Sequence, residues 1–348
     1  MLVYKDDLSK AFTQHIDQGA YMISAYLGID ISKEKFDCIL LCGDNKKFYE
    51  SCTNDSKGFT KLRRWLKSKK LETNQVHACM EATGIYSIAL AEFLYNENFF
   101  VSVVNPLQIK YFGVSELARN KNDRIDAQLI ARFCQKMTPT CWKPKSEDMK
   151  QFQEHVSRLK TLSNLYLQEG NHLRTTSSKS IQKSIKKVMK LLKQEMEQIE
   201  EEIITIMNTN SKLKKQAALL SSIPGISTKT SYTFLSCIDI DDFEDGRQVA
   251  AFIGLTPRQR LSGSSVRGST HLSKIGSTAQ RSALFMPALS SIRCNPVLKR
   301  FYNELVKRGK PGKVAVGAVM RKLVHIMFSV LKMERPFFDP KTQKLCKS

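Results

Sequence analysis

The chain has 348 residues, 42% hydrophobic and 25% charged, with a formal net charge of +22. This is ordinary globular composition, long enough for roughly two domains, which excludes a disordered or low-complexity chain. So large a positive surplus repels itself unless a polyanion neutralises it, and the usual polyanion is nucleic acid; a basic ribosomal or membrane-surface protein is the plainer competitor.

In chain order, residues 1–22 read as a loosely ordered polar leader, without the apolar core of a secretory signal. Tyr26-Leu-Gly-Ile-Asp30 and Phe36-Asp-Cys-Ile-Leu-Leu41 are short apolar runs joined by a polar turn, the pattern of a hairpin. Lys47 to Cys52 adds a third candidate strand. Phe59, Leu62, Trp65 and Leu66 form a helical stripe. Val76 to Met80 reads as strand, Tyr86 to Tyr95 as helix and Phe99 to Val104 as strand. The alternation over 25–135 predicts an α/β domain. Over 146–213 strand signals vanish. Met149, Phe152, Val156 and Leu159 make one stripe; Ile181, Ile185, Val188, Leu192, Met196, Ile199, Ile203 and Ile206 make a heptad seam. With Gly170-Asn171 and the Thr/Ser stretch from 175 between them, an antiparallel helical hairpin or coiled coil is predicted. Leu219 to Leu235 reads as helix, Pro-Gly turn, helix. Ile223-Pro-Gly-Ile226 is either a phosphate-holding helix-hairpin-helix turn or a plain connection. Val314 to Leu331 reads as a strongly apolar core helix. No segment approaches the ~20 apolar residues that span a bilayer. The 9 cysteines are odd in number and lack a CxxC pair, so they read as reduced, mostly buried thiols and not as a zinc or disulfide framework.

Four carboxylates stand out. Asp30 ends the first strand and Glu81 ends the strand 76–80, while Asp123 and Asp126 share one face of a helix start. Clustered carboxylates repel and raise each other's pKa unless divalent cations sit among them, and hard oxygen ligands suit Mg²⁺ or Mn²⁺. The bland alternatives are a cap residue for each strand-end acid and a solvated face for the pair. Arg119, Lys121 and Arg124 around the acidic pair favour a site that meets a phosphate backbone. A second constellation runs from Gly254 to Gly276. Arg258, Arg260 and Arg267 can clamp phosphate oxygens there, with Lys274 and Arg281 following. Ser262 sits among these cations, which favour an alkoxide and the charge of a phosphorane. From spacing alone, a Ser/Gly loop whose arginines only bind DNA stays open beside it.

Eight stretches recur in an order that resembles the DEDD transposases of insertion-sequence family 110, relatives of bridge-RNA-guided recombinases. They are Leu27-Gly-Ile-Asp30 with Lys33-Glu-Lys35, Glu81-Ala-Thr-Gly, Val104-Asn-Pro, Arg119 to Asp126 with Ala127, Ile223-Pro-Gly-Ile, Phe252 to Arg258, Ser262 to Gly268, and Met320-Arg-Lys-Leu. The resemblance covers about 24–338. It implies a fold that is α/β plus all-α: an RNase H-like (RuvC-like) N-terminal domain over 23–145, a helical coiled-coil region over 146–215, and a mainly helical transposase domain over 216–340, with 1–22 as leader and 341–348 as tail. It implies Mg²⁺ (or Mn²⁺) on Asp30, Glu81, Asp123 and Asp126. It also implies a nucleophilic Ser262 that forms a covalent 5′-phosphoserine link to DNA, with Ser264 and Ser265 as alternative nucleophiles. The partners implied are double-stranded DNA of element ends and target, a structured guide RNA, and further copies in a homodimer or homotetramer. The implied setting is the prokaryotic cytoplasm, on the nucleoid, with no membrane. The alternatives are a RuvC-like metal-dependent nuclease or junction resolvase without serine chemistry, and a DNA-binding protein without catalysis.

Overall fold

Runs of β-branched and aromatic residues make strands here, and their period-2 alternation decides what each strand face covers. The computed structural model describes residues 23–43, 46–116, 122–258, 261–262, 266–267 and 271–338. The leader 1–22, the tail 341–348, and Arg119, Lys121, Arg260, Ser264 and Ser265 lie outside the described residues. The chain divides into two compact units between Lys145 and Ser146.

The first unit is built on β1 (Ala25–Ile31), β2 (Lys35–Cys42), β3 (Lys47–Thr53), β4 (Val76–Glu81) and β5 (Phe100–Val104). They form one mixed sheet in the order β3-β2-β1-β4-β5. The β1–β2 and β2–β3 pairs are antiparallel; the β1–β4 and β4–β5 pairs are parallel. This topology is consistent with the RNase H-like domain expected above. Leu27, Ile29, Phe36, Cys38, Leu40, Ala78 and Met80 cover one face together with helices α1 (Ser56–Ser68) and α2 (Ile85–Asn96). The alternate residues Ile39, Leu41 and Cys79 meet α3 (Pro106–Ser115) and α4 (Asp123–Met137) on the other. Helix α4 presents Ala127, Ile130, Ala131 and Cys134 to the sheet. At Gly28 it comes so close that an added Cβ would lie 2.2 Å from both the Ala127 carbonyl oxygen and the Ala131 nitrogen. Only glycine allows that approach.

The second unit opens with α5 (Glu147–Thr175) and α6 (Lys179–Thr209). His155 pairs with Glu202 at 3.2 Å and Asn210 donates to Asp148 at 3.3 Å, so the two run antiparallel. The break expected at Gly170-Asn171 does not occur. A mid-helix glycine costs only ~1 kcal/mol, and the turn falls at 176–178, in the Thr/Ser stretch that was the other expected separator, where Thr175 and Thr176 donate to the His172 carbonyl. The heptad seam is only partly buried: Ile185 and Ile203 are inside, Met196, Ile199 and Ile206 rest on the core, and Ile181 and Val188 are exposed. The hairpin base shares one core with α7 (Ser211–Ser221), α8 (Thr228–Leu235), α9 (Gly246–Ile253), α10 (Thr278–Cys294), α11 (Pro296–Lys307) and α12 (Gly312–Lys332). Ile223 and Ile226 bury the turn between α7 and α8 in it. Contrary to the count of apolar residues made above, α12 is long and apolar enough to cross a membrane. Its apolar side chains, among them Val319, Leu323, Val324 and Met327, are buried in this core instead, as the sequence reading of 314–331 expects. Among the described residues all cysteines are free; Cys38, Cys52, Cys79 and Cys134 are buried, whereas Cys141, Cys237 and Cys294 are exposed.

Two predictions follow from the sheet. Gly28→Ala forces α4 away from β1 and is expected to cost about 1–3 kcal/mol, as overpacking typically does, read by urea denaturation. His77 on β4 is buried, its Nε2 shares a 2.8 Å hydrogen bond with Ser102 Oγ, and burial depresses its pKa to about 4. Below an ordinary histidine pKa of ~6.5 the unfolded chain takes up the proton first. Stability is therefore lost as pH falls from ~6.5 towards 4, by about 3 kcal/mol for this group, and is unaffected by it above that window. His77→Gln is expected to flatten the pH dependence over that range; a slope equal to wild type would contradict the assignment.

Candidate active site

The register of the sheet gathers the acids. Asp30 on β1 pairs directly with Asp37 on β2, and Ile29 pairs with Met80 on β4, which puts Glu81 beside Asp30. Since Leu27, Ile29, Phe36, Cys38, Ala78 and Met80 face α1 and α2, alternation turns Asp30, Asp37 and Glu81 to the face covered by α4. Asn122 caps α4 by accepting from the Ile125 N–H at 2.8 Å, so Asp123 and Asp126 occupy its first turn, where the helix dipole favours negative charge. Strand ends and helix start therefore bring the four sequence-selected carboxylates to one end of the unit.

Asp37 is the residue the sequence reading passed over. It is buried, and three donors serve it. Tyr49 donates to Oδ1 at 2.5 Å and Lys35 to Oδ2 at 3.0 Å. Burial works to raise its carboxyl pKa, but the hydrogen bonds from Tyr49, Lys35 and Ser51 outweigh it and hold the group below the usual range. Lys35 also donates to Asp123 at 2.7 Å, which with Asp37 raises the ammonium pKa above that of an ordinary lysine. Arg124 lies over the Tyr49 ring at 5.1 Å. The first turn of α4 is thus tied to β2 and β3 through two cations, and Asp123 is drawn towards Lys35. A lone Asp inside an otherwise apolar run is all that the sequence shows of it, too little to select it without the β1–β2 register.

Four carboxylates and no sulfur have the donor chemistry of a hard divalent cation. Among the described residues, however, no group of three or more His, Cys, Asp or Glu side chains is placed closely enough to hold a metal ion.

In the second unit, the Gly254–Gly276 stretch carries short strand pairs where the sequence suggested only a loop. β6 (Pro257–Arg258) pairs with β9 (His271–Leu272), and β7 (Leu261–Ser262) with β8 (Val266–Arg267), all antiparallel. The Ser262 backbone sits opposite Val266 towards the tip. Arg258 and Lys274 are exposed, as a phosphate contact requires. Arg281 gives its guanidinium to the Ile253 and Gly276 carbonyls and to Thr278 Oγ1.

Comparison with known proteins gives this arrangement its context. A profile of DEDD-type IS110 transposases matches residues 27–177, and one described as transposase IS116/IS110/IS902 family matches residues 217–303. The chain is 31% identical to the pilin gene-inverting protein of Moraxella bovis over 327 residues, covering 91% of this chain and 98% of that one. It is 32% identical to the Moraxella lacunata protein of the same name, with the same coverage. An uncharacterized 43.6 kDa protein of insertion element IS110 in Streptomyces coelicolor is 26% identical over 33% of this chain and 28% of its own length. The class defined is a transposase, an enzyme that recombines DNA. Within it, the chain belongs to the IS110 transposase family.

The Asp37 network can be read directly. Lys35→Met and Tyr49→Phe each remove a donor from the carboxylate. Both are expected to raise its titration midpoint, followed by carboxyl ¹³C shifts against pH. A midpoint unmoved in both variants would show that burial, not hydrogen bonding, governs this group.

Proposed function

We propose that this transposase cuts and rejoins DNA with a carboxylate site on the first unit and a serine nucleophile on the second. The observation that carries the reading is the registered placement of Asp30 beside Glu81, on the sheet face covered by the helix that begins with Asp123 and Asp126. Their donor chemistry suits Mg²⁺ or Mn²⁺, which the four would hold once drawn closer together than they stand in this structure, and which when bound would supply charge neutralisation and activation at a phosphate. Asp37 and Lys35 fix the local geometry from outside the quartet. On the second unit, the Ser262 hydroxyl attacks the scissile phosphate. A serine–phosphorus bond forms, the bond to the 3′ oxygen breaks, and that oxygen takes the proton to become a 3′-hydroxyl. The 5′-phosphoserine conserves the ester energy until another 3′-hydroxyl reverses the step. Arg258, Arg260, Arg267 and Lys274 steady the phosphates, as do Arg119, Lys121 and Arg124 near the acids.

Target choice is delegated to a structured RNA that pairs with element ends and target, as in other guided systems. Subunits pair through a coiled coil that extends the helical hairpin; the exposed apolar residues Leu165, Leu167, Ile181, Val188 and Leu191 near its turn support this. The enzyme acts in the cytoplasm, on the nucleoid. Inversion of a DNA segment is a second reading, favoured by the near full-length match to pilin gene-inverting proteins.

Ser262→Ala is expected to abolish strand joining and the covalent protein–DNA adduct seen on denaturing gels, while DNA affinity stays within about threefold because no charge is lost. Asp30→Asn is expected to stop cleavage and to preserve or tighten binding, since a negative charge near DNA is removed. Cleavage by the wild type without an adduct would favour a metal-dependent nuclease over serine chemistry. Cleavage undiminished in Asp30→Asn would remove the carboxylate site.

A further inference from the structure

We propose that Arg281 is a positioning residue for the hairpin that carries Ser262, a guanidinium clasp at its foot and not a contact to DNA phosphate; the inference rests on the serine reading above. The chain leaves α9 at Ile253, runs out through β6 and β7, returns through β8 and β9, and enters α10 at Thr278. Arg281 stands on the first turn of α10. Its Nη1 donates to the carbonyl oxygen of Ile253 at 3.1 Å and to that of Gly276 at 3.1 Å, and Nη2 donates to Thr278 Oγ1 at 3.0 Å. One nitrogen thus bridges the outgoing and the returning chain.

The surroundings fit that role. Ile253 ends α9, so its carbonyl lacks a helical partner and its helix end favours a cation. Gly254 and Gly276 have φ of +81° and +129°. A Cβ on Gly276 would lie 2.2 Å from the Phe252 carbonyl oxygen, and one on Gly254 would lie 2.7 Å from Arg281 Nη1. Above the clasp, Ser273 N–H donates to the Thr256 carbonyl at 2.8 Å, and Pro257 pairs with Leu272. A planar guanidinium serves both carbonyls and the hydroxyl at once; an ammonium is a single point donor that lacks this fork. Both Nη1 hydrogens are committed, so a phosphate at this nitrogen would have to break the clasp. A nucleophile displaced by about 1 Å can lose about a hundredfold in rate, so a loosened foot is felt at Ser262.

The test uses the full-length protein. Arg281→Lys and Arg281→Gln are expected to speed trypsin cleavage within residues 256–274 of the free protein by about tenfold at unchanged circular dichroism, because the segment opens locally. At saturating DNA, adduct formation should slow by about a hundredfold. The slope of log affinity against log salt should not change. Wild-type cleavage of the hairpin in both variants overturns the clasp. So does a slope smaller by about one in Arg281→Gln, with a normal adduct rate at saturating DNA, which is the signature of a phosphate contact. Should these variants not fold, Thr278→Val, which removes only the Nη2 acceptor, is expected to speed hairpin cleavage by about threefold, and a wild-type rate there overturns the proposal. An adduct that persists in Ser262→Ala defeats the serine reading alone; the proteolysis result then still decides the clasp.

Discussion

The backbone-to-backbone contact of α4 with β1 at Gly28 is the constraint on which the carboxylate end of the first unit depends. With no side chain at that position, the helix lies directly on the strand that carries Asp30, two residues further on. A methyl group there would hold α4 off the sheet, and Asp123 and Asp126 would move away with it. The small residues Ala127 and Ala131 on the helix complete the fit. The close packing is thus local in cause and acts at the site through the rigid helix.

Collecting like charges at one end of a sheet is costly, and the protein offsets part of that cost with cations and donors drawn from neighbouring strands. Lys35 spans Asp37 and Asp123, Tyr49 donates to Asp37, and Arg124 covers the Tyr49 ring. These contacts link β2, β3 and α4, so the electrostatic solution also fixes where the helix begins. The chain as a whole carries +22, a surplus that suits a DNA partner.

The second unit solves a different problem. Its apolar helix α12 lies in the core against the helices that precede the serine hairpin and those that follow it. The hairpin therefore leaves from a rigid base and returns to it, and the two ends are joined by glycine-permitted close approach and by one guanidinium. On the serine reading proposed above, the placement of the Ser262 hydroxyl is inherited from these two ends.

What the sequence alone determined is what repeats locally. Short apolar runs marked β1, β2, β4 and β5, and three- and four-residue spacings marked the long helices. The placement of Asp30, Glu81, Asp123 and Asp126 at element ends was legible, and so was α12, because its apolar run is continuous. Asp37 was not legible: it lies within an apolar run, and its pairing with Asp30 exists only once the β1–β2 register is set. The Lys35–Asp123 contact joins residues 88 apart. The acceptors of Arg281 were not legible either, because nothing nearby in the chain reveals that it reaches the Ile253 and Gly276 carbonyls and the Thr278 hydroxyl. The helical hairpin continued through Gly170 because packing along α6 outweighs one weak position. Periodicity is a property of neighbours in the chain; register, close approach and hydrogen-bond partners belong to neighbours in space, and only tertiary packing decides them.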